Sequence, residues 1–397
     1  MASMASGPSS VSIPSSPCTW TSMKPGTMVC PRSEPEGVDD PAVPVMSTIL
    51  FPSMTRVPPG WIRPGSTRSA PDRTIMQRNI SRMPVLGIDV GGTKTVCLLA
   101  DDQARIIAEG REEGANLQGA GELALEKVLH SVMEQTLDGT GVIPSAICLG
   151  IAGVDRASDE AVVRSIMGRI GYKARILVVN DALVALQAGA GDGPGIVIVS
   201  GTGSIAYGRN EHGEASRAGG WGYVLGDEGS GYWIGRLALR AVVRHADGRG
   251  RVTSLTPRLL AHFGVERASE LIHQVYHEEL SPRSIAAAAK YVQQARDEGD
   301  MVATGILSRA ADELMTAATA VMTRLELTDK PFTFVLSGGM FQAVPWLYDQ
   351  MQLLLPALAR EATVMRLGVP PAVGAVRLAL AELEGGAKLP VYRPNLT

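Results

Sequence analysis

The stretch VLGIDVGGTKTVCLL, residues 85–99, sets two apolar runs on either side of a glycine-rich turn. Each run carries the apolar and β-branched residues that are typical of a buried strand. The glycines and the polar Thr-Lys-Thr between the runs predict a tight connection. A third strand-like run at 104–109 follows the short turn DDQA, so the beginning of the fold is predicted to be an antiparallel meander.

This glycine turn differs from the common phosphate-binding loop, although the spacing of its glycines is similar. The Walker A pattern G-x-x-x-x-G-K-[ST] requires lysine directly after its second glycine and a helix after the loop. Gly87 and Gly92 have the required separation, but Thr93 occupies the lysine position. Because a strand-like run follows in place of a helix, the turn is predicted to close a β-hairpin.

A second hairpin with a glycine turn is predicted between the strand-like runs 195–200 and 203–209. Its GTGSIA matches the dinucleotide fingerprint G-x-G-x-x-[GA], but the fingerprint requires a helix where this sequence continues as a strand. Glycines let backbone N–H groups approach an anion closely. With the hydroxyls of Thr93, Thr202 and Ser204 and the charge of Lys94, the two turns are predicted to bind phosphate; two ordinary hairpin turns are the alternative.

The chain of 397 residues is predicted to contain a tail and two similar lobes. Residues 1–82 hold 13 of the 25 prolines and keep no strand or helix period, which predicts disorder; an over-extended start before Met83 is the alternative. Strand-like and helix-like runs alternate after that point, as in an α/β protein. Because strand–turn–strand occurs twice, we expect a first lobe at 83–195, joined by a helix at 371–385, and a second lobe at 196–370.

Composition and charge indicate which binding partners and which cellular compartment to expect. The net charge of −3 gives no indication of a nucleic-acid or membrane partner. No apolar run reaches the ~20 residues of a membrane span. The four cysteines form no CxxC pair, and Cys97 and Cys148 fall in apolar strand-like runs. This pattern predicts buried, reduced thiols and a cytoplasmic protein without a zinc site.

Two aspartates follow buried strands and are candidates for chemistry. Asp89 ends the first strand beside the glycine turn, so it is predicted to hold Mg²⁺ through water; capping of the turn is the alternative. Asp181 ends the run ARILVVND and directly precedes a helix-like run. It is predicted to be a general base at the carboxyl end of a strand, where α/β sheets place their sites, with capping of the helix as the alternative.

In the segment 218–236, six of the seven glycines, at positions 219, 220, 222, 226, 229 and 231, surround Trp221, Asp227 and Glu228. The two acidic residues are predicted to accept hydrogen bonds from a polyhydroxyl substrate. Their alternative task is to cap the helix that is predicted to begin near Ser230.

Seven motifs occur in this order along the chain: GIDVGGTKT, LGIAGVD, VVNDA, IVSGTGS, GGWGYVLGDEGSGYWIG, LSGGMF and PPAVGAVRLAL. In this order they resemble the BadF/BadG/BcrA/BcrD ATPase family, and in particular its N-acetylglucosamine kinase-like branch, from Met83 to about Glu384. The resemblance implies an α/β protein with the actin-like ATPase fold, in which two ribonuclease-H-like lobes hold ATP between them. The iron–sulfur cysteines of the dehydratase-activating branch have no counterpart here.

The resemblance also implies a set of site residues. The two glycine turns would bracket the phosphates of ATP, the glycines after the run FTFVLS would approach the adenosine, and Asp181 would be the catalytic base. The implied nucleotide ligands are Gly91, Gly92, Thr93, Lys94, Gly201, Thr202, Gly203, Ser204, Gly338 and Gly339. The expected substrate ligands are Asn116, Gly153, Asp181, Trp221 and Asp227, and the expected metal ligand is Asp89.

The expected function is ATP-dependent phosphorylation of an amino sugar, from N-acetylglucosamine to its 6-phosphate. Glucosamine and N-acetylmuramate are the alternative acceptors, and an ATPase switch that regulates a partner protein is the alternative of a different class. ATP and Mg²⁺ are the expected cofactors. The expected partners are the small-molecule sugar and a second copy of the chain in a homodimer, with no nucleic acid and no membrane.

Overall fold

The computed structural model describes residues 83–115, 117–154, 156–277 and 280–392. The tail predicted at 1–82 and the predicted sugar ligand Asn116 lie outside the described residues. The strands of the described part form two mixed sheets.

The first sheet has the strand order β3-β2-β1-β4-β5. Its strands are β1 (Val85–Val90), β2 (Lys94–Ala100), β3 (Ile106–Glu113), β4 (Ala146–Ile151) and β5 (Arg175–Asn180). Strands β1 and β2 are antiparallel, with Val85 opposite Ala100 and Val90 opposite Thr95, and β3 continues the antiparallel meander. The predicted hairpin is confirmed, although the third strand ends at Glu113 rather than at residue 109. Strands β4 and β5 add parallel to β1.

The second sheet repeats this arrangement. Its strands are β6 (Gly195–Ser200), β7 (Ser204–Arg209), β8 (Glu214–Gly219), β9 (Thr333–Ser337), β10 (Thr363–Arg366) and β11 (Val391–Tyr392), in the order β10-β9-β6-β7-β8-β11. Strands β6, β7 and β8 are an antiparallel meander, and β9 and β10 add parallel to β6. The predicted duplication is therefore present in the strand order, and β8 is a strand that the sequence patterns did not predict.

Helices cover the sheets and connect their strands. The first four are α1 (Leu117–Leu137), α2 (Ala157–Ile170), α3 (Asp181–Ala190) and α4 (Gly231–Ala246). The next five are α5 (Leu255–His262), α6 (Leu271–Tyr276), α7 (Pro282–Ala286), α8 (Ala289–Asp297) and the long α9 (Met301–Arg324). The last three are α10 (Met340–Ala343), α11 (Pro345–Leu358) and α12 (Ala372–Glu384). Among the helices that the structure describes, none has the length and apolar character needed to cross a bilayer.

Helices α3 and α12 connect the two sheets through a common core. Helix α12 packs against β1 and β4, α3 packs against β6, β7 and β9, and the two helices pack against each other. Val85, Leu183, Val197, Val335 and Val376 are buried in the same cluster, although they come from both sheets and both helices. This core fixes β1 and α3, the two elements that carry Asp89 and Asp181.

Both cysteines of the described strands are buried and unpaired, as predicted for Cys97 and Cys148. Burial raises the pKa of the Cys97 thiol to about 12. Burial also raises the pKa of the Cys148 thiol well above its usual range. Both thiols therefore behave as small apolar core groups.

Candidate active site

The two predicted phosphate turns meet each other. The first turn, 91–94, is closed by a hydrogen bond from the Gly91 N–H to Lys94 O (3.0 Å). The second turn, 201–204, is closed from the Gly201 N–H to Gly203 O (2.9 Å). Between them, the Thr93 and Thr202 hydroxyl oxygens lie 2.9 Å apart and share a hydrogen bond. The alternative of two ordinary hairpin turns gives no reason for this direct contact, whereas joint binding of one ligand would bring the turns together.

Gly114 lies against the first turn, and the sequence patterns did not predict this contact. A Cβ atom added to Gly114 would lie 2.6 Å from Gly91 O and closer still to the backbone of Gly92 and Thr93. The chain after β3 can therefore lie directly on the turn only because residue 114 has no side chain. The segment that leads to Asn116 thus passes beside the predicted phosphate site.

The carboxylates of Asp89 and Asp181 lie near each other at one edge of the first sheet. Strands β1, β4 and β5 are parallel, so residues that follow their carboxyl ends meet at the same edge, and Gly153 also lies there. Burial, and then the charge of Asp181, raise the pKa of Asp89 from 3.8 to about 7, and Lys94 opposes this change. The site therefore concentrates negative charge beside the first turn.

This carboxylate pair fits a magnesium site. Carboxylate oxygens are the donors that Mg²⁺ prefers, and a bound cation would oppose both burial and the repulsion from Asp181, which together raise the pKa of Asp89. Within the described residues, no group of three His, Cys, Asp or Glu side chains could hold a metal ion. A cation held here would take its remaining ligands from water and phosphate, as Mg²⁺ commonly does.

Asp181 does not serve as the cap of the helix that it begins. The neighbouring Asn180 is the N-cap of α3, and its Oδ1 accepts a hydrogen bond from the Ala182 N–H (2.8 Å). The alternative interpretation of Asp181 as the N-cap is therefore wrong. Asp181 is partly exposed at the start of α3, where the helix dipole favours negative charge.

The second turn is held from one side by the beginning of α4. The Gly231 N–H donates to Gly201 O (2.8 Å), and the Tyr232 N–H donates to Thr202 O (3.3 Å). The Ser204 hydroxyl, which was predicted to donate to phosphate, donates instead to Glu228 O (2.6 Å). The geometry therefore gives the Ser204 hydroxyl a structural partner, and phosphate binding by this turn stays a prediction.

The two glycines predicted near the adenosine lie beside this second turn. Gly338 follows β9 with a φ of 109°, and a Cβ atom there would lie 2.6 Å from Ser200 C. Ser200 ends β6 and directly precedes the turn. Gly339 faces open space, since nothing lies within 4 Å of a Cβ atom added to it.

The glycine-rich loop 219–229 carries an exposed apolar tip. Trp221 is 63% exposed, and Val224 and Leu225 are more exposed still. The Arg217 guanidinium lies 4.8 Å from the centroid of the Trp221 ring. Trp221, a predicted sugar ligand, is thus at the surface of this structure rather than in a closed pocket.

Asp227 ends this loop in a buried position and does not cap α4. The N-cap of α4 is Ser230, whose Oγ accepts a hydrogen bond from the Trp233 N–H (3.2 Å). Burial raises the pKa of Asp227, and the backbone N–H groups of Ser204 and Gly222, which donate to its carboxylate, partly oppose that change. The capping alternative for Asp227 is therefore wrong.

Two sheets of the same strand order, with a glycine turn from each meeting in the middle, define an ATPase of the actin-like α/β fold. The sequence profile of the BadF/BadG/BcrA/BcrD ATPase family matches residues 86–379, and the chain belongs to this family.

Relatives and a solved structure agree with this family. The chain is 34% identical over 303 residues to the N-acetylmuramic acid/N-acetylglucosamine kinase of Clostridium acetobutylicum, covering 76% of this chain and 99% of that protein. It is 33% identical over 315 residues to the N-acetyl-D-glucosamine kinase of Dictyostelium discoideum, with the same coverage. A crystal structure from Chromobacterium violaceum, provisionally assigned as an N-acetylglucosamine kinase, superposes with a TM-score of 0.63 at 25% identity, over 75% of this chain and 99% of that one.

Proposed function

We propose that this chain is an ATP-dependent amino-sugar kinase that converts N-acetylglucosamine to N-acetylglucosamine 6-phosphate. The observation that carries the proposal is the meeting of the two glycine turns through Thr93 and Thr202. The strand that leads into the first turn carries Asp89, which lies within the electrostatic reach of Asp181. Phosphoryl transfer needs positioning and charge stabilisation more than covalent chemistry, and this arrangement can supply both.

Asp181 is proposed to accept the proton of the attacking C6 hydroxyl. It is partly exposed at the carboxyl edge of the first sheet, so an acceptor hydroxyl can reach it. A general base of this kind contributes roughly 10²–10⁴-fold to the rate. The hydroxyls of Thr93 and Thr202 are proposed to donate to the phosphate oxygens, together with the turn amides other than those of Gly91, Gly201 and Ser204. Lys94 adds a positive charge at the end of the first turn.

Asp89 is proposed to hold Mg²⁺ through water. When bound there, the cation supplies positive charge that stabilises the transferring phosphoryl group. The predicted ligands Gly338 and Gly339 are proposed for the adenosine, and Asn116, Gly153, Trp221 and Asp227 for the sugar.

N-acetylmuramate is a second candidate acceptor, because the relative from Clostridium acetobutylicum is named for both sugars.

We also propose that the chain forms a homodimer in the cytoplasm. The buried, unpaired Cys97 and Cys148 support a reducing compartment. Light scattering after gel filtration tests the dimer, and a monomeric mass would contradict it.

The decisive experiment is ADP release with a panel of acceptors: N-acetylglucosamine, glucosamine, N-acetylmuramate, N-acetylmannosamine and glucose. We expect slow ATP hydrolysis without sugar and strong stimulation by N-acetylglucosamine. Turnover that no sugar stimulates would refute the kinase and would favour the ATPase switch.

The same assay tests the base. Asp181→Asn should lower kcat by about 10²–10⁴-fold while nucleotide binding persists, because only the proton acceptor is lost. Asp312→Asn is the matched control, since Asp312 is exposed on α9 and the substitution makes the same change of charge. Wild-type kcat in Asp181→Asn would remove Asp181 from the mechanism.

A further inference from the structure

Asp227 holds two separate stretches of backbone with one buried carboxylate. Its side chain accepts hydrogen bonds from the N–H groups of Ser204 and Gly222. Ser204 closes the second glycine turn, and Gly222 directly follows Trp221 in the loop 219–229. One side chain therefore ties the proposed nucleotide turn to the loop that is proposed to meet the sugar.

The contact between Asp227 and the turn is close. A Cβ atom added to Gly203 would lie 2.8 Å from Asp227 Oδ2, so the carboxylate rests directly on the turn. Asp227 is 8% exposed and has a φ of 58°, in the left-handed region that residues with a Cβ atom rarely adopt. Such a conformation persists where surrounding contacts fix it, and the two amide hydrogen bonds are such contacts.

Asp227 and α4 bind different backbone groups of the turn. Helix α4 binds the carbonyl oxygens of Gly201 and Thr202, while Asp227 binds the Ser204 amide. Within the described residues, the hydrogen bonds of this turn do not use the amides of Thr202 and Gly203. Fixing the carbonyls and the Ser204 amide orients these two remaining amides as a pair of anion donors.

We propose that Asp227 is a positioning residue that holds the 201–204 turn in its nucleotide-binding conformation and couples nucleotide binding to the loop carrying Trp221. The coupling to the sugar rests on the proposed function, whereas the effect on the nucleotide does not. Because coupling between two binding sites is reciprocal, order that a nucleotide imposes on the turn also reaches the loop.

The first experiment measures nucleotide affinity without any sugar. Calorimetry with a non-hydrolysable ATP analogue and Mg²⁺ compares the wild type, Asp227→Asn and the control Asp312→Asn. In Asp227→Asn an NH₂ group replaces one carboxylate oxygen, so a donor faces a backbone N–H group that needs an acceptor. We therefore expect the affinity for the ATP analogue to be about tenfold weaker or more. The control should keep wild-type affinity.

The expected pattern differs from that of a residue that contacts only the sugar. In steady-state assays Asp227→Asn should raise KM for ATP as well as KM for the sugar. Unchanged analogue affinity with a raised sugar KM alone would overturn the proposal. A wild type that binds the analogue and phosphorylates no sugar would refute the kinase assignment and leave the positioning role measurable.

Hydrogen exchange on the wild type needs no variant, so it tests the coupling even if Asp227→Asn fails to fold. Adding the ATP analogue with Mg²⁺, without sugar, should slow amide exchange in the turn 201–204 and also in the loop 219–226. Protection confined to the turn would show that nucleotide binding does not order the loop, and it would overturn the proposed coupling through Asp227.

Discussion

Replacing Gly374 by alanine tests how closely α12 must approach α3. A Cβ atom at position 374 would lie 2.7 Å from Ala188 N and closer still to Val184 O, and both atoms belong to the backbone of α3. Even the longer of these distances is about 0.7 Å shorter than 3.4 Å, the distance at which ordinary van der Waals contact begins. Backbone atoms inside a helix cannot rotate away, so the two helices must separate.

Two opposing contributions set the expected magnitude. Alanine is favoured over glycine inside a helix by about 1 kcal/mol. Overpacking a well-packed core costs about 1–3 kcal/mol or more, and a clash with backbone belongs at the upper end of that range. We therefore expect Gly374→Ala to lower the free energy of unfolding by about 2 kcal/mol.

Two other helix glycines provide matched controls. Gly168 in α2 and Gly305 in α9 are exposed, and nothing lies within 4 Å of a Cβ atom added to either. Gly168→Ala and Gly305→Ala should each raise the free energy of unfolding by about 0.5–1 kcal/mol. Urea unfolding, compared at equal m values, measures all three variants.

The same substitution should also reduce activity. Helix α3 begins at Asp181, so a displacement of α3 by α12 moves the proposed base. We expect a lower kcat in Gly374→Ala and a wild-type kcat in Gly168→Ala. If Gly374→Ala were as stable as Gly168→Ala, the close packing of α12 on α3 would be refuted.

Three further predictions concern Asp300, the Thr202 hydroxyl and the two buried cysteines. Burial would raise the pKa of Asp300, but hydrogen bonds from the start of α9 and from residues 253–254 outweigh it and hold the pKa below 3.8. This stabilisation is complete above pH 3.8 and is lost as the pH falls through the folded-state pKa, so Asp300→Ala should cost about 1–2 kcal/mol at pH 7 and flatten the acid side of the stability profile; an unchanged acid slope would contradict this. Thr202→Val should raise KM for ATP several-fold, on the order of one hydrogen bond, whereas Thr202→Ser should not; equal effects of the two would exclude the hydroxyl. In a variant lacking the two cysteines of the first 82 residues, Cys97 and Cys148 should react with a disulfide reagent only after unfolding, and fast native labelling would disprove their burial.

The parts of the site that the sequence predicted are those with local patterns. The two hairpins follow from apolar runs around glycine turns, and Asp89 and Asp181 follow from strands that end in a carboxylate. The duplicated strand order follows from the repeated hairpin. Each of these features depends on residues that are neighbours in the chain, so period and turn chemistry are sufficient to find them.

The parts that sequence patterns missed depend on distant contacts. Strand β8 reads EASRAG, which has no apolar alternation, and it forms because β7 offers an antiparallel edge. Gly114 matters only because the first glycine turn lies against it. The choice between Asn180 and Asp181 as the cap could not be made from sequence, since both residue types cap helices well and they are adjacent.

The two carboxylates at the edge of the first sheet differ in their exposure to solvent, and this difference agrees with the two roles proposed for them. Asp89 is 7% exposed near the end of β1, which is compatible with the proposed contact to a cation through water. Asp181 is partly exposed at the start of α3, as the proposed base must be if an acceptor hydroxyl is to reach it. Because the charge of Asp181 helps to raise the pKa of Asp89, neutralising Asp181 makes ionisation of Asp89 easier. Asp181→Asn should therefore keep or strengthen the cation-assisted binding of nucleotide while it removes the proton acceptor, a combination that a purely structural aspartate would not produce.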